Sequence, residues 1–202
     1  GGGGADTMIG GAGDDTYHAD TSLDVINDTG GGTDHVIATG NYALGDNLEN
    51  LTLDGFENIS GFGNDQNNQI TGNNGNNLIN GGDGYDKTSY AGAVAGVNVN
   101  LGTGQASGGG SDTLLNVEGV IGSGDDDSII GNGAANDLEG GDGAAVELGV
   151  LAVGGQRHAV GAHGGPGLCG LDTACRIGRR ICRWPGDWLN FVAHLAVVIA
   201  VV

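Results

Sequence analysis

Side chains with oxygen ligands recur along the first part of this sequence at a spacing of nine or ten residues. Asp6, Asp15, Asp24 and Asp34 form the first series. Further along the chain the same place is held by Asn68, Asn77, Asp86, Asp127 and Asn136. Carboxylate, amide and backbone carbonyl oxygens suit a hard cation such as Ca²⁺, which takes about six to eight oxygen ligands. The pattern therefore favours cation binding over catalysis.

The best copies fit a nine-residue unit, G-G-x-G-x-D-x-U-x, in which U is a large apolar residue, and Asp24 and Asp34 continue its phase where the glycines fade. Residues 1–9 read GGGGADTMI and residues 10–18 read GGAGDDTYH. Two weaker runs begin near residues 63 and 122, and the phase fails after GGDG at residues 140–143. Glycine allows the positive φ angles of a tight turn and leaves the neighbouring carbonyls accessible. The turn glycines of the best copies are Gly2, Gly4, Gly11, Gly13, Gly82 and Gly84.

A nine-residue unit accommodates one turn and one short strand, and these elements must position the oxygens. The U residues Met8, Tyr17, Ile26 and Val36 are predicted to face inward, because side chains alternate along a strand. Successive turns then alternate between two edges of a flattened coil. Turns on the same edge are therefore about 18 residues apart, which stacks Asp6 on Asp24, Asp15 on Asp34 and Asn68 on Asp86.

The nonapeptide resembles the RTX, or haemolysin-type, calcium-binding repeats of secreted bacterial proteins. The resemblance covers residues 1–143 and implies an all-β fold, a right-handed parallel β-roll or β-solenoid, within a fragment of a larger protein. Residues 37–62 and 89–121 resemble the β-rich segments that lie between such arrays. The family also implies Ca²⁺ ligation by Asp6, Asp15, Asp24, Asp34, Asp86 and Asp127, helped by the turn glycines. Asn68, Asn77 and Asn136 are expected to give weaker sites, or ladders of amide side chains with no ion.

This resemblance predicts a secreted, extracellular or cell-surface module that binds calcium ions and supports export by a type I secretion machinery. Few aromatic residues and many glycines leave little apolar burial to offset the backbone entropy of folding. We therefore expect residues 1–143 to be largely disordered without Ca²⁺ and to fold outside the cell, where it is abundant. The oligomeric state stays open.

Charge and missing motifs exclude other functions. The chain has 25 acidic residues against 6 Lys and Arg, so nucleic acids and anionic membrane surfaces would repel it. Its longest apolar run, near the C-terminus, is too short for a membrane span. Neither H-E-x-x-H nor G-x-S-x-G occurs, which predicts that this chain is not an enzyme. The alternatives are the non-catalytic C-terminal part of a secreted protease or lipase, or an adhesin stalk.

Residues 144–202 have a different composition, with five of the six basic residues and all three cysteines. We expect this tail to be irregular or disordered. A shifted reading frame or chimeric join near Ala144 is one explanation, and a degenerate C-terminal secretion signal is the other. The gaps between Cys169, Cys175 and Cys182 are wider than zinc sites usually show, so no zinc site is predicted.

Overall fold

The computed structural model describes residues 1–141, together with the backbone of four strands at 145–148, 158–160, 176–177 and 180–181. The chain divides into two units, Gly1–Leu168 and Cys169–Val202. These described residues form strands and turns and contain no helix, so none that could cross a membrane occurs among them. The expected irregular tail, its two explanations and the absence of a zinc site concern residues of 144–202 that lie largely outside the described part of the chain.

The strands of the first unit are short. They are β1 (Thr7–Met8), β2 (Thr16–Ala19), β3 (Val25–Ile26), β4 (His35–Ala38), β5 (Tyr42–Ala43), β6 (Asn50–Leu53), β7 (Ser60–Phe62), β8 (Gln69–Thr71), β9 (Leu78–Asn80), β10 (Lys87–Ser89), β11 (Asn98–Asn100), β12 (Gln105–Ser107), β13 (Ser111–Leu115), β14 (Gly119–Ile121), β15 (Asp127–Ile130), β16 (Asp137–Glu139), β17 (Ala145–Leu148) and β18 (His158–Val160). The second unit has one antiparallel pair, β19 (Arg176–Ile177) and β20 (Arg180–Ile181).

The chain of the first unit alternates between two eight-stranded sheets. Sheet one has the order β2-β4-β6-β8-β10-β14-β16-β18 and is parallel throughout. Sheet two has the order β5-β7-β9-β13-β12-β11-β15-β17, and β1 and β3 form a separate parallel pair. Thr7 is paired with Val25 and Thr16 with His35, which are the separations expected for one full coil. The predicted all-β solenoid of stacked parallel strands is confirmed.

A column of inward-facing side chains runs up the centre of sheet one. In this register the buried residues Tyr17, Val36, Leu51, Ile70, Thr88, Val120 and Leu138 follow one another. Exposed or half-buried residues flank the column residue on both sides in strands such as β4 and β6. Of the four residues predicted to face inward, Tyr17 and Val36 lie in this column, and Met8 and Ile26 are partly buried against the core. The column also contains the polar Thr88, which is fully buried.

The two segments between the repeat runs differ in structure. Residues 37–62 continue the coil through β5, β6 and β7, although one turn is shortened, since His35 is paired with Asn50. Residues 89–121 contain an antiparallel meander of β11, β12 and β13, placed in sheet two between β9 and β15. Sheet one has no such insertion, because β10 is paired directly with β14.

One ion-pair group spans three strands of sheet one. Lys87 Nζ on β10 lies 2.6 Å from Asp137 Oδ2 and 2.9 Å from Glu139 Oε1, both on β16. The intervening strand β14 has Gly119 at this level, and a Cβ there would collide with the Lys87 side chain. Glycine on the middle strand therefore lets the lysine reach across it.

Candidate metal centre

The predicted stacking of Asp and Asn residues on turns about 18 residues apart is confirmed, and hydrogen bonds from backbone amides to carboxylates hold it. The backbone N–H of Asp6 donates to Asp24 Oδ1 at 2.9 Å. In the same way Asp15 N–H donates to Asp34 Oδ1 at 2.8 Å, and Asn68 N–H donates to Asp86 Oδ1 at 2.7 Å. Each acidic side chain thus caps an amide of the turn before it.

Two glutamates and one more aspartate take the same place where the spacing changes. Glu49 Oε2 accepts the N–H of Asp34 at 2.8 Å, and Glu118 Oε2 accepts that of Asp86 at 3.0 Å. Asp112 Oδ1 accepts the N–H of Asn77 at 2.9 Å. The nonapeptide spacing did not reveal these residues because Glu49 follows a shortened turn, Asp112 lies in the inserted meander and Glu118 follows that meander.

Three carboxylates meet where the turn ending at Asp15 stacks on the turn ending at Asp34. Asp15, Asp28 and Asp34 each offer an oxygen within 4.8 Å of the others. Asp28 is fixed from both sides, since Tyr17 Oη donates to its Oδ2 at 2.6 Å and Gly30 N–H donates to its Oδ1 at 2.9 Å. These hydrogen bonds, first that of Tyr17, lower the pKa of Asp28 and keep it ionised.

Asp28 was not among the predicted ligands because it lies outside the repeat phase. It comes two residues before Gly30, in the glycine run of the turn that leads to Asp34. Its position next to the glycines of this turn is the one feature of the sequence that could have indicated Asp28 as a ligand.

Two carboxylate oxygens in this cluster are buried without a hydrogen bond. Asp34 is 0% exposed, and its Oδ2 has no hydrogen-bond partner in the described part of the chain. Asp15 Oδ2 is also buried and has no hydrogen-bond partner among the described residues. A buried carboxylate oxygen without a partner is unfavourable. At 4.8 Å each pair of like charges adds a repulsion of about 3 kcal/mol at an effective dielectric constant near 20. A cation would relieve both effects.

Backbone carbonyls supply further oxygens between the same two turns. A Cβ on Gly30 would overlap the carbonyl of Gly11, and one on Gly32 would overlap that of Gly13. Gly13 N–H also donates to Gly31 O at 3.0 Å. Only glycine allows backbones to stack this closely, and the packing places the carbonyls of Gly11 and Gly13 against the glycine run that leads to Asp34.

Asp86 is a second position with an unpaired oxygen. It is 1% exposed, and its Oδ2 has no hydrogen-bond partner within residues 1–141. The pKa of Asp86 is raised to about 6, first by burial and then by the nearby charges of Glu118 and Asp83. Its turn glycines, Gly82 and Gly84, have positive φ and stack on backbone carbonyls of the preceding turn. This position brings fewer carboxylates together than the cluster around Asp34.

The other predicted aspartate ligands accept backbone hydrogen bonds within their own turns. Asp6 Oδ2 accepts the N–H of Gly2 at 2.8 Å, and Asp24 Oδ2 accepts that of Asp20 at 3.0 Å. Asp127 Oδ2 accepts the N–H of Ser123 at 2.8 Å. The amide of Asp6 is the first cause that lowers the pKa of Asp24. Backbone amides already donate hydrogen bonds to these carboxylates, so a bound cation would stabilise them less than it would stabilise Asp34.

The predicted asparagines also accept an amide of their own turn. Asn68, Asn77 and Asn136 accept the N–H four residues earlier at 2.8, 3.0 and 2.8 Å. Asn68 Nδ2 donates to Leu48 O at 3.0 Å, and Asn77 Nδ2 donates to Ile59 O at 2.9 Å. For Asn68 and Asn77 this geometry matches the ion-free ladder of the two alternatives.

The predicted turn glycines fall into two groups. Gly4, Gly11, Gly13, Gly82 and Gly84 have positive φ angles of 101° to 124°. Gly2 does not share this conformation and serves as the amide donor to Asp6.

The fold and this geometry define a β-solenoid with an acidic cluster between two of its turns. Comparison with protein-family models and with curated proteins finds no match for the chain.

Proposed function

We propose that the chain is a non-enzymatic calcium-binding module, in which one Ca²⁺ lies between the turns that carry Asp15 and Asp34. The observation that carries this proposal is Asp34 Oδ2, a fully buried carboxylate oxygen without a hydrogen bond. Asp15, Asp28 and Asp34 would hold the ion, and carbonyls of the stacked glycines would complete its shell. A second, weaker site would include Asp86.

The donor set favours Ca²⁺ over transition metals. Every donor proposed here is a carboxylate or carbonyl oxygen, and such ligands suit hard cations. Mg²⁺ demands a small octahedral shell and gives up its water reluctantly, whereas Ca²⁺ accepts irregular shells with more ligands. Three carboxylates in one buried cluster also supply the negative charge that offsets the dehydration of a divalent ion.

The role that follows is cation-dependent ordering of a secreted module. Residues 1–144 carry 22 acidic residues and one basic residue, so the chain repels itself when no cation is bound. A ligand that binds only the folded form stabilises it by RT ln(1 + [L]/Kd). The resemblance to RTX repeats favours export in an open form by a type I secretion machinery and folding in extracellular calcium.

Calorimetric titration of the full chain with CaCl₂ after chelation tests the proposal, with MgCl₂ as the comparison ion. We expect saturable Ca²⁺ binding, and at least a tenfold weaker affinity at the first site in Asp34→Asn. The matched control is Asp46→Asn, which removes the same charge from an exposed position. No calcium heat, or equal affinities in the two variants, would refute the proposed site.

A further inference from the structure

We infer that the asparagine-rich turns of residues 58–80 stay folded without any divalent cation and form a fixed support beside the cation-dependent turns. The asparagine ladder that carries this inference consists of Asn64, Asn67, Asn68, Asn73, Asn76 and Asn77. The support itself does not depend on the proposed function. Its role beside calcium-dependent turns does.

The buried asparagines of the ladder satisfy both ends of their amide groups. Asn77 Oδ1 accepts the N–H of Asn73, and Asn77 Nδ2 donates to Ile59 O on the preceding turn. Asn68 makes the equivalent bonds with Asn64 and Leu48. Both asparagines are 3% exposed, so these bonds form away from water. Each side chain therefore joins two turns with no ion between them.

Neighbouring asparagines connect the same turns a second time. Asn73 Nδ2 donates to Glu57 O at 3.0 Å, and Asn64 Nδ2 donates to Leu48 O at 2.9 Å. Asn76 Oδ1 accepts the N–H of Ser111 at 2.9 Å, and Asn67 Oδ1 accepts that of Tyr85 at 2.8 Å. The ladder thus reaches the turns before and after it along both edges of the coil.

The asparagine side chains differ from the aspartates of the acidic cluster in having an amide nitrogen that can donate a hydrogen bond. An aspartate at the same place of the repeat can accept hydrogen bonds but has no N–H to give to a carbonyl. Asp34 and Asp86 each leave Oδ2 unpaired, whereas Asn68 and Asn77 place Nδ2 against a carbonyl. An amide ladder is also uncharged, so stacking its members adds no repulsion.

Hydrogen exchange of the full chain in chelator, read residue by residue, tests the inference. We expect the amides of Asn64, Asn73 and Asn76 to exchange at least about 100-fold more slowly than in an unstructured chain. The amides of Gly13 and Asp15 should exchange fast until CaCl₂ is added. Fast exchange of the ladder amides in chelator would overturn the inference, even if calcium then slowed them. Slow ladder exchange with no calcium effect elsewhere would leave the ladder intact and remove the proposed calcium function.

A pair of matched variants tests the role of the amide nitrogen. Asn77→Asp removes the donor to Ile59 O, and Asn74→Asp makes the same chemical change at an exposed position three residues away. In chelator we expect exchange of the Asn73 and Asn76 amides to accelerate at least about tenfold in Asn77→Asp and to stay unchanged in Asn74→Asp. Equal effects in the two variants, or no effect in Asn77→Asp, would overturn the role of the ladder.

Discussion

Replacing Asp34 by asparagine should stabilise the protein without calcium and weaken its response to calcium. The new amide side chain would keep the oxygen that accepts the Asp15 N–H and would replace the unpaired Oδ2 with a donor. The change removes two of the three like-charge pairs in the cluster with Asp15 and Asp28.

The repulsion sets the scale of this effect. Two pairs at about 3 kcal/mol each would give about 6 kcal/mol at an effective dielectric constant near 20. The hydrogen bonds that Tyr17 and Gly30 donate to Asp28 offset part of this repulsion. We therefore expect Asp34→Asn to raise the free energy of unfolding in chelator by about 2 to 4 kcal/mol.

Urea unfolding of the full chain in chelator and in CaCl₂ measures both the stability without calcium and the stability that calcium adds. We suggest 10 mM CaCl₂, a concentration of roughly the order that weak extracellular sites need. The parent protein should gain stability on calcium addition, and Asp34→Asn should lose most of that gain. Asp46→Asn, on the exposed surface, should behave like the parent protein. If Asp34→Asn were less stable than the parent in chelator, the repulsion argument would be wrong. If it kept the full calcium gain, the site would be misplaced.

Three further outcomes follow from other parts of the coil. In cation-free buffer the Asp86 carboxyl, whose pKa burial raises to about 6, contributes stability that is complete below about pH 4 and is lost as the pH rises through 6. Urea titrations at pH 5 and pH 7 should therefore show a difference that Asp86→Asn abolishes. Leu51→Ala, at a residue 1% exposed, should cost about 2 to 5 kcal/mol in the same assay, whereas Leu115→Ala, at one 46% exposed, should cost far less. Lys87→Met should cost about 1 kcal/mol at low salt because it leaves Asp137 and Glu139 side by side. Thermal melts in 1 M NaCl should show a smaller difference, and an unchanged difference would contradict an electrostatic origin.

The repeat phase predicted much of the coil because one nine-residue unit sets both a turn and an inward residue. It located Tyr17 and Val36 in the core column and stacked Asp15 on Asp34. Both predictions need only the alternation of side chains along a strand and a constant coil length.

Residues outside that phase could not be located in the same way. Asp28 joins the acidic cluster from a glycine run, and Glu49 and Glu118 replace aspartates where the coil length changes. The paired meander β11–β13 was equally hidden, because its strand partners are set by tertiary packing rather than by the nonapeptide. Which aspartates keep an unpaired oxygen also depended on turn geometry, since Asp24 and Asp34 occupy equivalent places in the repeat.

The meander has a geometric consequence for the whole coil of the first unit. Between β8 and β16, sheet one advances by three strand spacings, while the matching stretch of sheet two, from β9 to β17, advances by five. At about 4.8 Å per spacing, one wall of the coil is longer than the other by about 10 Å at this level. Sheet two is therefore wider than sheet one by two strands at this level, where Lys87 reaches across β14 to Asp137 and Glu139 on β16.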